Sequence, residues 1–232
     1  MFQNAGPTVP TTITHFLFAK VFRLSTKSRR KIINAAEIAD YTGWLEKNFG
    51  SYKMFRKRES LWKEMVQNLD SRPIEGMEFG VAWGYATNFW LKVLNDSRLV
   101  VWRGFDRFTG LPRNWRNHKI GTFDAGGSAP NIGDPRVLWH VGDIENTIST
   151  VDTSIWNSRQ LVVLFDLDLF EPSLYAWNFI KGKLKSGDLV YFDEAYDADE
   201  RELLDNYVLK FGKFKCIGAT PLALGLLLED TY

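Results

Sequence analysis

Five short apolar runs, near residues 75–80, 99–105, 136–141, 160–166 and 188–193, alternate with segments whose apolar residues recur at helical spacing. That alternation points to a parallel sheet, because two parallel neighbours can be joined only by a long crossover, usually a helix. Ala86, Phe89, Trp90, Val93 and Leu94 mark one crossover face, and Leu174, Trp177, Ile180 and Leu184 a second, with Pro172 suited to its first turn. A third face comes from Leu203, Leu204, Tyr207, Val208 and Phe211. Two closing apolar runs, 214–218 and 222–228, flank Ala219-Thr220-Pro221 and read as an antiparallel pair. The expected fold is α/β, with a mostly parallel sheet and an antiparallel C-terminal strand.

At 232 residues the chain can bury roughly 70–75% of its unfolded surface, so its core needs no covalent support. Cys216 is the only cysteine, which excludes an intrachain disulfide framework and a multi-thiolate zinc site and fits a reducing compartment. The apolar runs are too short to span a membrane, and the N-terminus lacks the charged start and apolar run of a secretory signal. A soluble, cytoplasmic protein is the expectation.

The formal charge of +1 averages unlike parts. Residues 1–70 carry 12 basic and 6 acidic side chains, and the remainder 17 and 22. Residues 1–13 read as a loose tail, 14–72 as a helical extension and 73–232 as the main domain. Leu61, Trp62, Met65, Val66 and Leu69 form a helix face ending near Ser71-Arg72-Pro73 and should pack on that domain. Residues 107–135, rich in Gly, Pro, Asn and Arg, make a connection long enough to be a lid or a substrate-binding segment.

Four signals fall where strands end. Glu78-Phe79-Gly80-Val81-Ala82-Trp83-Gly84 spans a strand-to-helix turn, where glycines let backbone approach a ligand. It is not GxGxxG, and Trp83 sits where a pyrophosphate would need access, which disfavours a nicotinamide cofactor. Asp106, at the tip of the second strand, is placed to accept from ribose hydroxyls. Gly142-Asp143-Ile144 follows the third strand, where an aspartate could accept from an adenine amino group and an isoleucine cover the ring. Asp166-Leu167-Asp168 and Asp193-Glu194 put four carboxylates on two strand tips, a self-repelling set unless a cation, a proton or a positive ligand lies between them. Oxygen ligands of this kind suit Mg²⁺, Ca²⁺ or Mn²⁺.

These residues resemble the class I S-adenosylmethionine-dependent methyltransferases, and within them the macrocin O-methyltransferase (TylF-like) family acting on sugars. The resemblance runs through Gly104-Phe105-Asp106-Arg107-Phe108-Thr109-Gly110-Leu111-Pro112, Gly142-Asp143, Asp166-Leu167-Asp168-Leu169-Phe170-Glu171-Pro172-Ser173 and residues 184–194, and covers roughly 74–230. Two positions depart from it: the family commonly has Asp-Asp where this chain has Asp193-Glu194, and serine where it has Arg107. The resemblance implies a Rossmann-like fold with a seven-stranded sheet and S-adenosyl-L-methionine as cofactor. Glu78, Gly80 and Gly84 would meet its methionine end, Asp106 and Arg107 the ribose, Gly142, Asp143 and Ile144 the adenine, and Asp166 the cofactor side of the metal site. Asp166, Asp193 and Glu194 would hold Mg²⁺. The acceptor would be a hydroxyl of a sugar or glycosylated small molecule.

A sugar hydroxyl gives up its proton reluctantly, so a base is needed beside any cation. Asp168, two residues from Asp166, is the first candidate, with His118 and His140 as rivals. Trp115 offers a flat face within the 107–135 connection. The basic N-terminal segment stands open to three readings: a solvated helical surface, a lid or dimerisation element of a homo-oligomer, and a weak peripheral membrane contact through residues 16–31. No nucleic-acid recognition motif is present. Two alternatives compete with sugar methylation: a catechol-type phenolic O-methyltransferase, and a non-catalytic cofactor-binding partner subunit.

Overall fold

The computed structural model describes residues 25–94 and 98–232. The expected tail over 1–13, together with His15, Phe16, Leu17, Phe18, Val21 and Phe22, lies outside the described residues. The chain divides into two compact units, Met1–Asp40 and Tyr41–Tyr232. The described part of the first is the opening of helix α1 (Thr26–Phe49), where Arg29, Arg30 and Lys31 are exposed. Among the described residues no helix is long and apolar enough to cross a membrane.

The second unit is built on a seven-stranded sheet. Its strands are β1 (Ile74–Phe79), β2 (Leu99–Asp106), β3 (Val137–Val141), β4 (Gln160–Phe165), β5 (Leu189–Phe192), β6 (Gly212–Ala219) and β7 (Leu224–Thr231). They lie in the order β3-β2-β1-β4-β5-β7-β6, with β1 to β5 parallel and β7 antiparallel to both its neighbours, as expected. The second terminal run starts at Leu224 rather than Leu222, because Thr220 Oγ1 accepts the N–H groups of Leu222 and Ala223 and holds them in the turn.

Strand residues alternate between two cores, since successive side chains point to opposite faces. Leu161, Val163 and Phe165 join Phe79, Phe105 and Phe192 in one, and Val162 and Leu164 join Leu189 and Tyr191 in the other. Helix α5 (Phe170–Ile180) covers the first face with Ala176, Trp177 and Ile180, beside Tyr41 and Leu45 from the end of α1. Helices α2 (Arg58–Val66) and α3 (Tyr85–Val93) cover the second. Trp62, the centre of the α2 face, is 1% exposed and packs at 5.0 to 6.3 Å on Tyr85, Phe89, Trp90 and Tyr191. Replacing such a residue with alanine costs about 3–5 kcal/mol, so α2 is fixed firmly against the sheet. Helix α4 (Ile144–Thr147) is one short turn after β3, and α6 (Ala198–Leu203) follows β5.

The strand order reverses between β1, which leads outward to β2 and β3, and β4, which leads the other way. Open α/β sheets bind ligands at such a switch point, beyond the carboxyl ends of the strands. Backbone bonds tie those ends together: Gly142 N–H to Asp106 O, Gly80 N–H to Phe105 O, Asp166 N–H to Phe79 O and Asp193 N–H to Phe165 O, at 2.8 to 3.0 Å.

Candidate active site

A cavity of about 600 Å³ opens at these strand ends, lined among others by Glu78, Gly80, Asp106, Asp143, Asp166, Asp168 and Glu194. That is ample for a nucleoside-sized ligand with an acceptor beside it.

Its first wall is the turn from β1 into α3. Gly80 has φ +88°, and a Cβ there would lie 1.7 Å from the carbonyl oxygen of Asp166, so only glycine allows β1 and β4 to close at this point. Asp106 holds the rest of the turn. Its Oδ2 accepts the N–H groups of Val81 and Ala82, both at 2.7 Å, and its Oδ1 accepts that of Phe108 at 2.6 Å. A carboxylate has about four lone-pair sites, so a bond from a ligand can still be accepted, on Oδ1. Glu78 lies beneath the turn, 1% exposed, its Oε2 accepting from Thr87 Oγ1 at 2.5 Å and Trp102 Nε1 at 2.8 Å. Burial pushes its carboxyl up to about 7 against the pull of those two donors.

The opposite side is β3 and its exit. Asp143 pairs with Arg107 (Nε to Oδ1, 3.0 Å), and Ile144 is buried at the start of α4. Gly142, with φ +138°, bends the chain between strand and helix.

The floor is carboxylate. Oxygen atoms of Asp166, Asp168 and Glu194 lie within 4.8 Å of one another. Asp168 is buried and holds φ +62°, a conformation that aspartate tolerates better than most residues but still at a cost, and strain of this kind concentrates at working sites. Burial, then the charges of Asp193, Asp197 and Asp106, pushes Asp168 up to about 7. Burial, then Asp193 and Asp168, raises Asp166; burial, then Asp193, Asp166 and Glu200, raises Glu194. Glu194 Oε2 is buried with no hydrogen-bond partner. Three converging carboxylates, one of which also carries an unpartnered buried oxygen, are what a hard cation would satisfy, so the residues fit one. Asp193 stands apart: its Oδ2 accepts from Arg58 Nη1 at 2.9 Å and its Oδ1 from the Tyr191 hydroxyl.

The 107–135 connection forms the roof. Gly110, Leu111, Pro112 and Phe123 face the cavity, and ion pairs of Arg113 with Glu171 and of Arg116 with Asp197 fasten the segment to the elements after β4 and β5. Trp115 is 8% exposed and packs with Leu111 and Leu169, so it anchors this roof and presents no open face. His118 is exposed and stacks on Trp115 at 5.5 Å. His140 stacks on Phe105 at 4.4 Å, and burial, then Arg103, lowers its pKa. Neither histidine lines the cavity, whereas Asp168 does.

Two lining residues, Arg58 and Tyr85, carried no site assignment in the sequence, and Trp83, known there only as an obstacle to a pyrophosphate, joins them. Arg58 enters from α2; Trp83, 62% exposed, and Tyr85, 54% exposed, flank the mouth. Trp83 had a detectable signal, since a bulky aromatic in a glycine turn has no core to enter. Arg58 had none, being one cation in a basic segment.

No protein-family model and no curated protein matches the sequence. Among solved structures, the calicheamicin methyltransferase CalS11 is similar over 99% of this chain and 98% of its own, with TM-score 0.55 and 18% identity. The apo form of CalS11, described as a TDP-rhamnose 3'-O-methyltransferase of calicheamicin biosynthesis, gives 0.52 and 17% over 98% and 100% of the two chains. The O-methyltransferase NovP gives 0.55 and 17% over 75% and 80%. At these identities the likeness establishes the Rossmann-like class I methyltransferase fold.

Proposed function

We propose that this chain is an S-adenosylmethionine-dependent O-methyltransferase of the macrocin (TylF-like) type, assisted by Mg²⁺ and acting on a hydroxyl of a sugar or glycosylated small molecule. The observation that carries the reading is the placement of Asp168 beside Asp166 and Glu194, on the floor of a cavity whose wall is the Glu78–Gly84 turn. The fold neighbours CalS11 and NovP, both O-methyltransferases, support it.

In this reading Glu78 and Gly80 hold the methionine end of the cofactor, Asp106 accepts from the ribose through Oδ1, and Asp143 and Ile144 hold the adenine; Gly84 is not among the lining residues and instead leaves room for Pro130 and Ile132. Arg107 keeps Asp143 in place through their ion pair. Asp166, Asp168 and Glu194 are the oxygen donors for the cation. Bound there, the cofactor supplies an electrophilic methyl group and the cation supplies positive charge that acidifies an adjacent hydroxyl. Asp168 takes the acceptor proton on its carboxylate. In the metal-free chain burial and the neighbouring acids push its carboxyl up to about 7, the direction that strengthens a base, and a bound cation would draw it back down. The roof segment keeps bulk water from the reacting groups through the Leu111, Trp115 and Leu169 contact.

Trp83 at the mouth admits a second acceptor class, since an exposed indole stacks on a phenolic ring as readily as on a sugar face. Incubating the protein with S-adenosylmethionine, Mg²⁺ and matched panels of nucleotide sugars, glycosides and catechols, and following product mass, separates the two. Methylation confined to the sugar panels is the expected result. Methylation of catechols alone would transfer the assignment to the phenolic class, and no methylated product from any panel would contradict the reading.

A further inference from the structure

The carboxylate floor already contains one cation of the protein's own. Arg58 opens α2, and its guanidinium lies 2.9 Å from Asp193 Oδ2 and 4.0 Å from Asp166 Oδ2. It is held there from two further sides, with its Cζ 5.2 Å from the ring of Trp62, one helical turn on, and 5.1 Å from that of Tyr85. Trp62 is part of the core, and the more exposed Tyr85 is tied through its hydroxyl to Glu59 at 2.7 Å. A guanidinium fixed by two aromatic faces and a charge-assisted bond does not give way easily to an incoming ion. Both oxygens of Asp193 are engaged, Oδ2 by Arg58 and Oδ1 by the Tyr191 hydroxyl, and the side chain is held toward those donors.

We propose that Arg58 is a built-in counter-cation, which withdraws Asp193 from the ligand set and limits the affinity of the remaining Asp166, Asp168 and Glu194 for a divalent ion. This inference rests on the cation reading above and deepens it. Arg58 acts in two ways. It occupies the carboxylate that would otherwise complete a four-carboxylate site, and its positive charge beside Asp166 repels a second cation through the same low-dielectric space. A protein so arranged keeps its floor neutralised in part when no metal is bound, and binds metal weakly and reversibly.

The test is isothermal titration of the full chain with Mn²⁺, with thermal unfolding as a check on folding. Arg58→Met should tighten Mn²⁺ binding by about tenfold or more, since it removes the repelling charge and releases Asp193. Arg58→Lys keeps the charge but loses the stacked guanidinium, so its affinity should fall between those of wild type and Arg58→Met. Adding Asp193→Asn to Arg58→Met should remove the gain. Equal or weaker binding by Arg58→Met, in a variant that melts cooperatively, overturns the assignment of Arg58 and leaves the cation reading standing. No saturable Mn²⁺ uptake by any of these proteins overturns the cation reading itself, and this inference with it.

Discussion

Asp106 Oδ2 accepts the backbone N–H of Ala82 at 2.7 Å, and Ala82 stands in the left-handed region with φ +47°. The same carboxylate holds Phe108, another left-handed residue, with φ +58°. Each such non-glycine residue costs about 1–2 kcal/mol, and a hydrogen bond to a charged group returns about 1.5–3 kcal/mol. One side chain therefore stabilises both the turn after β1 and the start of the roof segment, and the cavity takes its shape from it.

Asp106→Ala should lower stability by about 1–3 kcal/mol and weaken S-adenosylhomocysteine binding by at least about 100-fold. Asp106→Asn presents an N–H₂ to one of the three backbone donors and should fall between the two. Denaturant unfolding read alongside calorimetry checks this. A ligand contact alone would change affinity without changing stability, so an unaltered unfolding midpoint in Asp106→Ala would refute the positioning role.

Gly80→Ala tests the close approach of β1 and β4. Its methyl would lie 1.7 Å from the Asp166 carbonyl in a backbone conformation that L-residues avoid. A loss of about 3 kcal/mol or more is expected, with the cofactor site lost at the same time. Gly121→Ala, where the added methyl meets nothing within 4 Å, controls for the backbone term alone because φ there is also positive, at +81°.

Glu78 gives a pH signature. Its folded pKa of about 7 lies above the ordinary 4.5, so the folded state holds the proton more tightly than the unfolded state. The stability this contributes is fully present below about 4.5 and is lost as pH rises through about 7. Glu78→Gln keeps an oxygen for Thr87 and Trp102 and cannot ionise. It should match wild type in thermal unfolding at pH 4.5 and exceed it at pH 8, where the wild-type carboxylate must be buried with its charge. Parallel Tm-versus-pH curves for the two proteins would refute the shift.

Asp168→Asn separates chemistry from binding. Asparagine tolerates the positive φ of this position, so the loop should keep its course. Turnover should fall by at least about 100-fold, with S-adenosylhomocysteine affinity within about threefold of wild type. Retention of full activity would exclude Asp168 as the base.

The sheet was legible because a parallel strand covered on both faces is mostly apolar, and Leu161 to Phe165 could be little else. The strand tips followed from it, and with them Glu78, Asp106, Asp143 and the carboxylates. Partnership between those residues was not legible. Asp106 reads in sequence as a free acceptor, yet it closes three backbone contacts; Asp193 reads as a metal ligand, yet Arg58 reaches it across 135 positions. Trp115 reads as an open platform and is buried by Leu111 and Leu169. Each of these depends on a long-range contact, which leaves no periodic trace in the chain. The face of Leu61, Trp62 and Met65 was legible as one that packs on the main domain, and it does; Tyr41 and Leu45 add buried contacts to the other core, because the sheet needs apolar cover on both faces.

The central claim is that the cavity at the strand ends is a cofactor site, and titration calorimetry with S-adenosylhomocysteine tests it most directly. The wild-type chain should bind one equivalent saturably, and Asp106→Ala should bind it far more weakly. No binding by correctly folded wild-type protein would contradict the account.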